Sequence, residues 1–151
     1  MAQYSRDIVP SGSTPWMPLG PGISYRLLRA ESDSGRFTVL IRAEAGGRLP
    51  RHRHEEAAET FILTGHGTHP QSGPFATGDY IYEARGAVHD AVDFDHDVEL
   101  LMISYGPSSF LAPDDSVVVV MDVAMVRGGA ARVMGDLVVP SGIGTLVVSV
   151  C

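Results

Sequence analysis

Seventeen glycines and ten prolines interrupt this chain along its whole length. Proline removes a backbone donor, and glycine takes turn conformations that other residues resist. Between these breaks lie short runs of Val, Ile, Leu, Phe and Tyr, such as Phe37-Thr-Val-Leu-Ile-Arg-Ala43 and Glu99-Leu-Leu-Met-Ile-Ser-Tyr105. No stretch carries sustained 3.6-residue periodicity. Short apolar segments with frequent turn signals predict an all-β sandwich or barrel.

The expected strands are Ser24–Arg29, Phe37–Ala43, Leu49–His54, Glu59–Leu63, a segment ending at about His69, Asp79–Glu83, His89–Phe94, Glu99–Tyr105 and Val117–Val123. Thr64-Gly65, Gln71–Pro74 and Ala84–Ala87 read as turns. With 151 residues the chain is expected to be one domain in three parts. Residues 1–23, rich in Pro and carrying Trp16, form an extended arm whose tryptophan caps an apolar end. Residues 24–123 form the barrel. Residues 124–151 form a tail that adds edge strands or an oligomer contact.

Composition excludes several classes of function. Apolar residues make up 44% and charged residues 19%, enough for a real core. The net charge is −7, and every cation other than histidine is an arginine. That balance argues against nucleic acid and anionic membranes, which both need clustered cations. Cys151 is the only cysteine, so no intrachain disulfide forms. The first ten residues lack the apolar run of a leader, and Val117–Met121 is too short to span a bilayer. A cytoplasmic location is expected.

Five of the six histidines lie between positions 52 and 89. Residues two apart in a strand share a face, so His52 and His54 can present two imidazoles to one metal ion. Glu59 begins the next expected strand, where a carboxylate can reach the same point. A solvated polar strand is the plainer reading, because Arg51, Arg53, Glu55 and Glu56 surround these residues. The second informative segment is Gly78-x5-Ala84-x-Gly86-x2-His89-x3-Asp93. Glu83 and His89 flank its turn, so Glu83 is a candidate partner for the ring of His89 or for a metal-bound water. An exposed Glu83 paired with Arg85 is the alternative. His66 and His69 follow the first hairpin, where either could add a fourth imidazole, though a histidine flanking a turn is more often exposed. His96 sits in an acidic loop and reads as solvated. Tyr80 and Tyr82 share a face and could donate to substrate or simply pack. Phe61, Leu63, Ile81, Leu100, Met102 and Ile103 read as core or pocket wall. Arg42 and Arg53 could clamp an anionic substrate, but read first as surface residues balancing acidic neighbours.

Gly46-x5-His52-x-His54-x4-Glu59-x5-Gly65, taken with the second segment, resembles the two motifs of the cupin superfamily, small antiparallel jelly-roll β-barrels. The family's first motif has three or four residues between His-x-His and Glu, then six before Gly; here the last interval is five. The second motif carries Pro and Asn where this chain has Ala84 and Asp93. The resemblance implies a metal held by His52, His54, His89 and Glu59. Ser24-Tyr-Arg-Leu-Leu28, Gly86-Ala-Val-His89 and Tyr105-Gly-Pro107 are similar to a narrower branch, the dioxygenases of acetylacetone and of 2,4′-dihydroxyacetophenone. That branch implies Fe(II) on the three histidines, Glu59 as an uncertain ligand, and C–C cleavage of a small enolisable diketone or hydroxyketone by O2. A zinc cupin that cyclises or isomerises a polyketide would use the same ligands, since imidazole suits both metals. A sensing module like the anti-sigma-factor cupins is the third reading. Exposed sheet edges predict a homo-oligomer.

Overall fold

The computed structural model describes residues 8–10 and 12–128. In chain order its strands are β1 (Met17–Gly20), β2 (Ile23–Ala30), β3 (Phe37–Ala43), β4 (Arg48–Leu49), β5 (His52–His54), β6 (Ala58–Thr64) and β7 (His66–His69). They continue with β8 (Gly73–Ala76), β9 (Tyr80–Glu83), β10 (Val88–His89), β11 (Val92–Asp93), β12 (Val98–Ser104), β13 (Ser108–Leu111) and β14 (Val117–Met121). A short helix, α1 (Val123–Val126), follows.

All pairings are antiparallel. One sheet of six strands runs β1-β2-β3-β12-β6-β9, and one of four runs β10-β5-β13-β14. Two small ribbons, β11-β4 and β7-β8, complete the wall. This is the all-β jelly-roll barrel that the sequence predicts. The core lies between the sheets because alternate residues point inward. In β3, Phe37, Val39, Ile41 and Ala43 are buried in strict alternation. Tyr25, fully buried, donates from its hydroxyl to the carbonyls of Met125 (3.2 Å) and Val126 (3.3 Å), which ties α1 to β2.

Several local expectations change. Pro50 cannot donate to a ladder, and the strand expected over 49–54 divides there into β4 and β5. The strand expected over 89–94 divides likewise into β10 and β11. Gly73 and Pro74 belong to β8 and not to a turn. Val123 leaves the strand because Asp122 caps a helix, its carboxylate accepting from the Met125 N–H. The arm contributes β1, and Trp16 lies against the guanidinium groups of Arg42 (4.0 Å) and Arg26 (4.8 Å) in place of an apolar end. The tail expected to add edge strands or an oligomer contact lies outside the described residues from 129 onward.

Candidate metal centre

Strand β5 sits between β10 and β13, and its register assembles the site. His52 pairs with His89 on one side and with Phe110 on the other, and His54 pairs with Ser108. His89 returns to this position through the turn at 84–87. Gly86 makes that turn possible with φ +81°, a conformation side chains resist. Its N–H donates to the His54 carbonyl (2.7 Å), and the His54 N–H donates to the Ala87 carbonyl (2.9 Å). The rings of His52, His54 and His89 lie 4.9, 5.2 and 5.1 Å apart. One ring nitrogen from each lies within 4.8 Å of the others.

The three rings are buried. Burial, with repulsion from neighbouring histidines, brings His52 down to about 3 and His54 to about 4. Both are therefore neutral at pH 7, the form that binds metal. Nδ1 of His52 lies 2.9 Å from the Pro50 carbonyl, which fixes its proton there and leaves Nε2 as a lone-pair donor. Nδ1 of His54 lies 3.3 Å from the Ser108 hydroxyl. Both ring nitrogens of His89 are buried without a hydrogen-bond partner. Orphaned buried nitrogens are costly, and a metal ion would satisfy one of them. The donor set fits a divalent ion with open positions: neutral imidazoles on one face and no thiolate among the described residues.

Glu83 supplies a carboxylate beside this triad. It is buried, and Arg85 pairs with Glu56 at 3.5 Å instead of with it. Its Oε1 lies 3.3 Å from Nε2 of His69, and its Oε2 lies 2.9 Å from Nε2 of His89. The second approach is short, but the ring N–H of His89 is not aligned for a hydrogen bond. Burial pushes the Glu83 carboxyl up, yet contacts with His69 and His89 outweigh it and hold the group well below the usual carboxylate range. His69 joins Glu83 and His89 in a second cluster close enough to hold an ion.

Glu59 does not join either cluster. Its carboxylate lies outside the barrel, accepting from the hydroxyls of Tyr80 (2.6 Å) and Tyr105. The reason is strand parity. Thr60 and Ile62 of β6 line the cavity, and Glu59, Phe61 and Leu63 point the other way. Ala58, fully buried, pairs with Glu83 across β6 and β9. The buried carboxylate is thus carried by β9. Parity likewise turns Tyr80 and Tyr82 outward, 56% and 60% exposed, and puts Ile81 and Glu83 inward. Phe61 and Leu63 are exposed and are not pocket wall, whereas Ile81, Leu100 and Met102 are. His66 and His96 are exposed, their rings 4.1 Å apart, and do not line the cavity.

The four inward histidines and Glu83 line a cavity of about 70 Å³. Ile41, Ile62, Phe75, Phe94 and Met102 form apolar wall, with no arginine among the lining residues. Sequence reasoning missed Thr60 and Ser108 at this site. Inward parity from Ala58 would have found Thr60; Ser108 lies in Ser108-Ser109, which carries no strand signal.

Two antiparallel sheets closed around a histidine-lined cavity define a cupin. The family model described as the ChrR cupin-like domain matches residues 5–109, and the chain belongs to that family. The acetylacetone-cleaving enzyme of Acinetobacter johnsonii is 25% identical over 112 residues, 71% of this chain and 73% of that protein. A solved structure of a candidate acetylacetone dioxygenase from Methylibium petroleiphilum superposes with a TM-score of 0.75 at 25% identity, covering 87% of this chain and 97% of that one. The solved Acinetobacter johnsonii acetylacetone dioxygenase gives the same TM-score at 19% identity, covering 89% and 95%.

Proposed function

We propose that this protein is a non-haem Fe(II) dioxygenase that cleaves a C–C bond of a small enolisable diketone or hydroxyketone with O2. The observation that carries the reading is the buried triad of His52, His54 and His89, whose His89 nitrogens lack protein partners. The similarity to acetylacetone-cleaving proteins supports it. An iron ion held by His52, His54 and His89 would supply Lewis acidity toward the ketone oxygens and electrons for O2. The chain's own residues hold that position with neutral nitrogens, keep it dry with apolar walls, and place one carboxylate beside it. The absence of arginine from the lining suits a substrate without a carboxylate of its own. No helix among the described residues is long and apolar enough to cross a membrane. A cytoplasmic homo-oligomer is part of the same proposal; a monomer by light scattering at micromolar concentration would refute the assembly.

Metal analysis after anaerobic purification, with O2 uptake on acetylacetone, tests the activity. Iron with uptake is expected. Zinc without uptake would turn the reading to a cyclase or isomerase. The match to the ChrR cupin-like domain favours a sensing module as the second reading, and metal binding without turnover of any ketone would support that. His52→Ala, His54→Ala and His89→Ala should each lose most of the metal and keep the β fold. Glu59→Ala should keep its metal.

A further inference from the structure

We propose that His69 is a positioning residue and not a metal ligand: it holds one oxygen of Glu83 and so turns the other toward the imidazole triad. The inference rests on the reading that the triad holds a divalent metal.

His69 closes β7 and is buried. The backbone N–H groups of Gln71 and Ser72 both donate to its Nδ1, at 3.2 and 3.1 Å. A nitrogen that accepts two hydrogen bonds carries no proton, so the proton of this neutral ring sits on Nε2. An Nε2 that bears the proton has no lone pair for a metal. It has a donor, and Oε1 of Glu83 lies 3.3 Å away. The proximity of His69 to Glu83 and His89 therefore marks a donor–acceptor contact and not a second ion site.

The turn that sets this tautomer is itself fixed to the site. The Gln71 amide donates to the Asp90 carboxylate (2.8 Å), and the Asp90 N–H donates back to the Gln71 carbonyl oxygen (3.2 Å). Asp90 follows His89 directly, so the β7–β8 ribbon and the end of β10 move together. Strand pairing to Ala58 places Glu83, and His69 Nε2 then faces its Oε1 at 3.3 Å. Its Oε2 is left facing Nε2 of His89 at 2.9 Å. Among the described residues no other lining side chain supplies a carboxylate, so His69 sets the direction of the one carboxylate they bring to the cavity.

Long-range 1H–15N NMR of the full chain's imidazoles tests this in two arms. In the metal-free protein His69 is expected as the Nε2–H tautomer; an Nδ1–H ring would overturn the proposal. On addition of Zn(II) as the probe, nitrogens of His52, His54 and His89 should shift while His69 keeps its tautomer. A His69 nitrogen that shifts with them would make it a ligand and overturn the proposal. If no imidazole responds to Zn(II), the metal reading fails, and the metal-free arm alone decides the tautomer on which the positioning role stands. In the iron-loaded protein, His69→Leu should keep one metal per chain and lower turnover of acetylacetone about 10–100-fold, the usual loss for such partners. His69→Gln keeps an N–H donor and should recover most of the rate. Full turnover in His69→Leu would also overturn the role. A wild-type protein without turnover would refute the dioxygenase reading only, because the NMR arms do not use activity.

Discussion

Glu59 and Ala58 differ by one position, and that position decides on which side of the barrel wall a side chain emerges. Three intervening residues after His54, or six before Gly65, place the motif position at Ala58, whereas four after His54 place it at Glu59. The eye goes to the carboxylate next door, and the alternation of β6 then carries Glu59 outward. The clustering of the three histidines is legible because their spacing and parity agree; the outward turn of Glu59 is legible only when parity is carried through Ala58. Outside, Glu59 accepts from two phenols, which holds its own carboxyl down and pushes Tyr80 up to about 12, chiefly through that hydrogen bond. Ultraviolet titration should therefore find a tyrosine ionising near 12. Glu59→Gln should return it toward the ordinary value of about 10, with metal content unchanged. A Tyr80 that stays near 12 in the variant would remove Glu59 as the cause.

Elements were legible where alternation is strong and illegible where it is interrupted. β3 was read to the residue because Phe37, Val39, Ile41 and Ala43 alternate with residues that are less buried. β13 was missed because its Ser-Ser start lacks β-branched or aromatic side chains, and its place beside β5 is set by tertiary pairing. The turn between β9 and β10 brings Glu83 and His89 to one cavity, and it depends on Gly86. A Cβ there meets nothing within 4 Å, so the penalty is conformational alone. Gly86→Ala should cost about 1–2 kcal/mol, a fall in melting temperature on the order of 2–8 °C for a chain of this size. Gly65→Ala should be far worse, because its Cβ would lie 2.3 Å from the Asp97 carbonyl oxygen, a fixed backbone atom. Comparable melting temperatures for the two variants would contradict this ordering.

At the scale of the molecule, burying neutral imidazoles makes the metal-free protein sensitive to acid. His52 and His54 have folded-state values near 3 and 4, below the unfolded value of about 6.5. Between those limits the unfolded chain binds protons that the folded chain refuses. Stability is therefore complete above about pH 6.5 and is lost as pH falls toward 4. At about 1.36 kcal/mol per pH unit, His54 alone withdraws roughly 3 kcal/mol over that interval. Urea midpoints of the metal-free protein should fall steeply between pH 6.5 and 4, and His54→Gln should flatten the slope. A flat profile in the wild type would mean that the imidazoles are not buried as neutral groups.

The histidine pair and the carboxylate differ in how firmly the barrel holds them. His52 and His54 lie on β5, which has β10 on one side and β13 on the other. Glu83 lies on β9, which among the described residues pairs with β6 alone. Boundary strands detach at lower free energy than interior ones. A brief excursion of residues 80–83 would carry the negative charge out of the chamber while the imidazole pair stayed in place. Opening at that boundary would thus act on the carboxylate before it acted on the imidazoles.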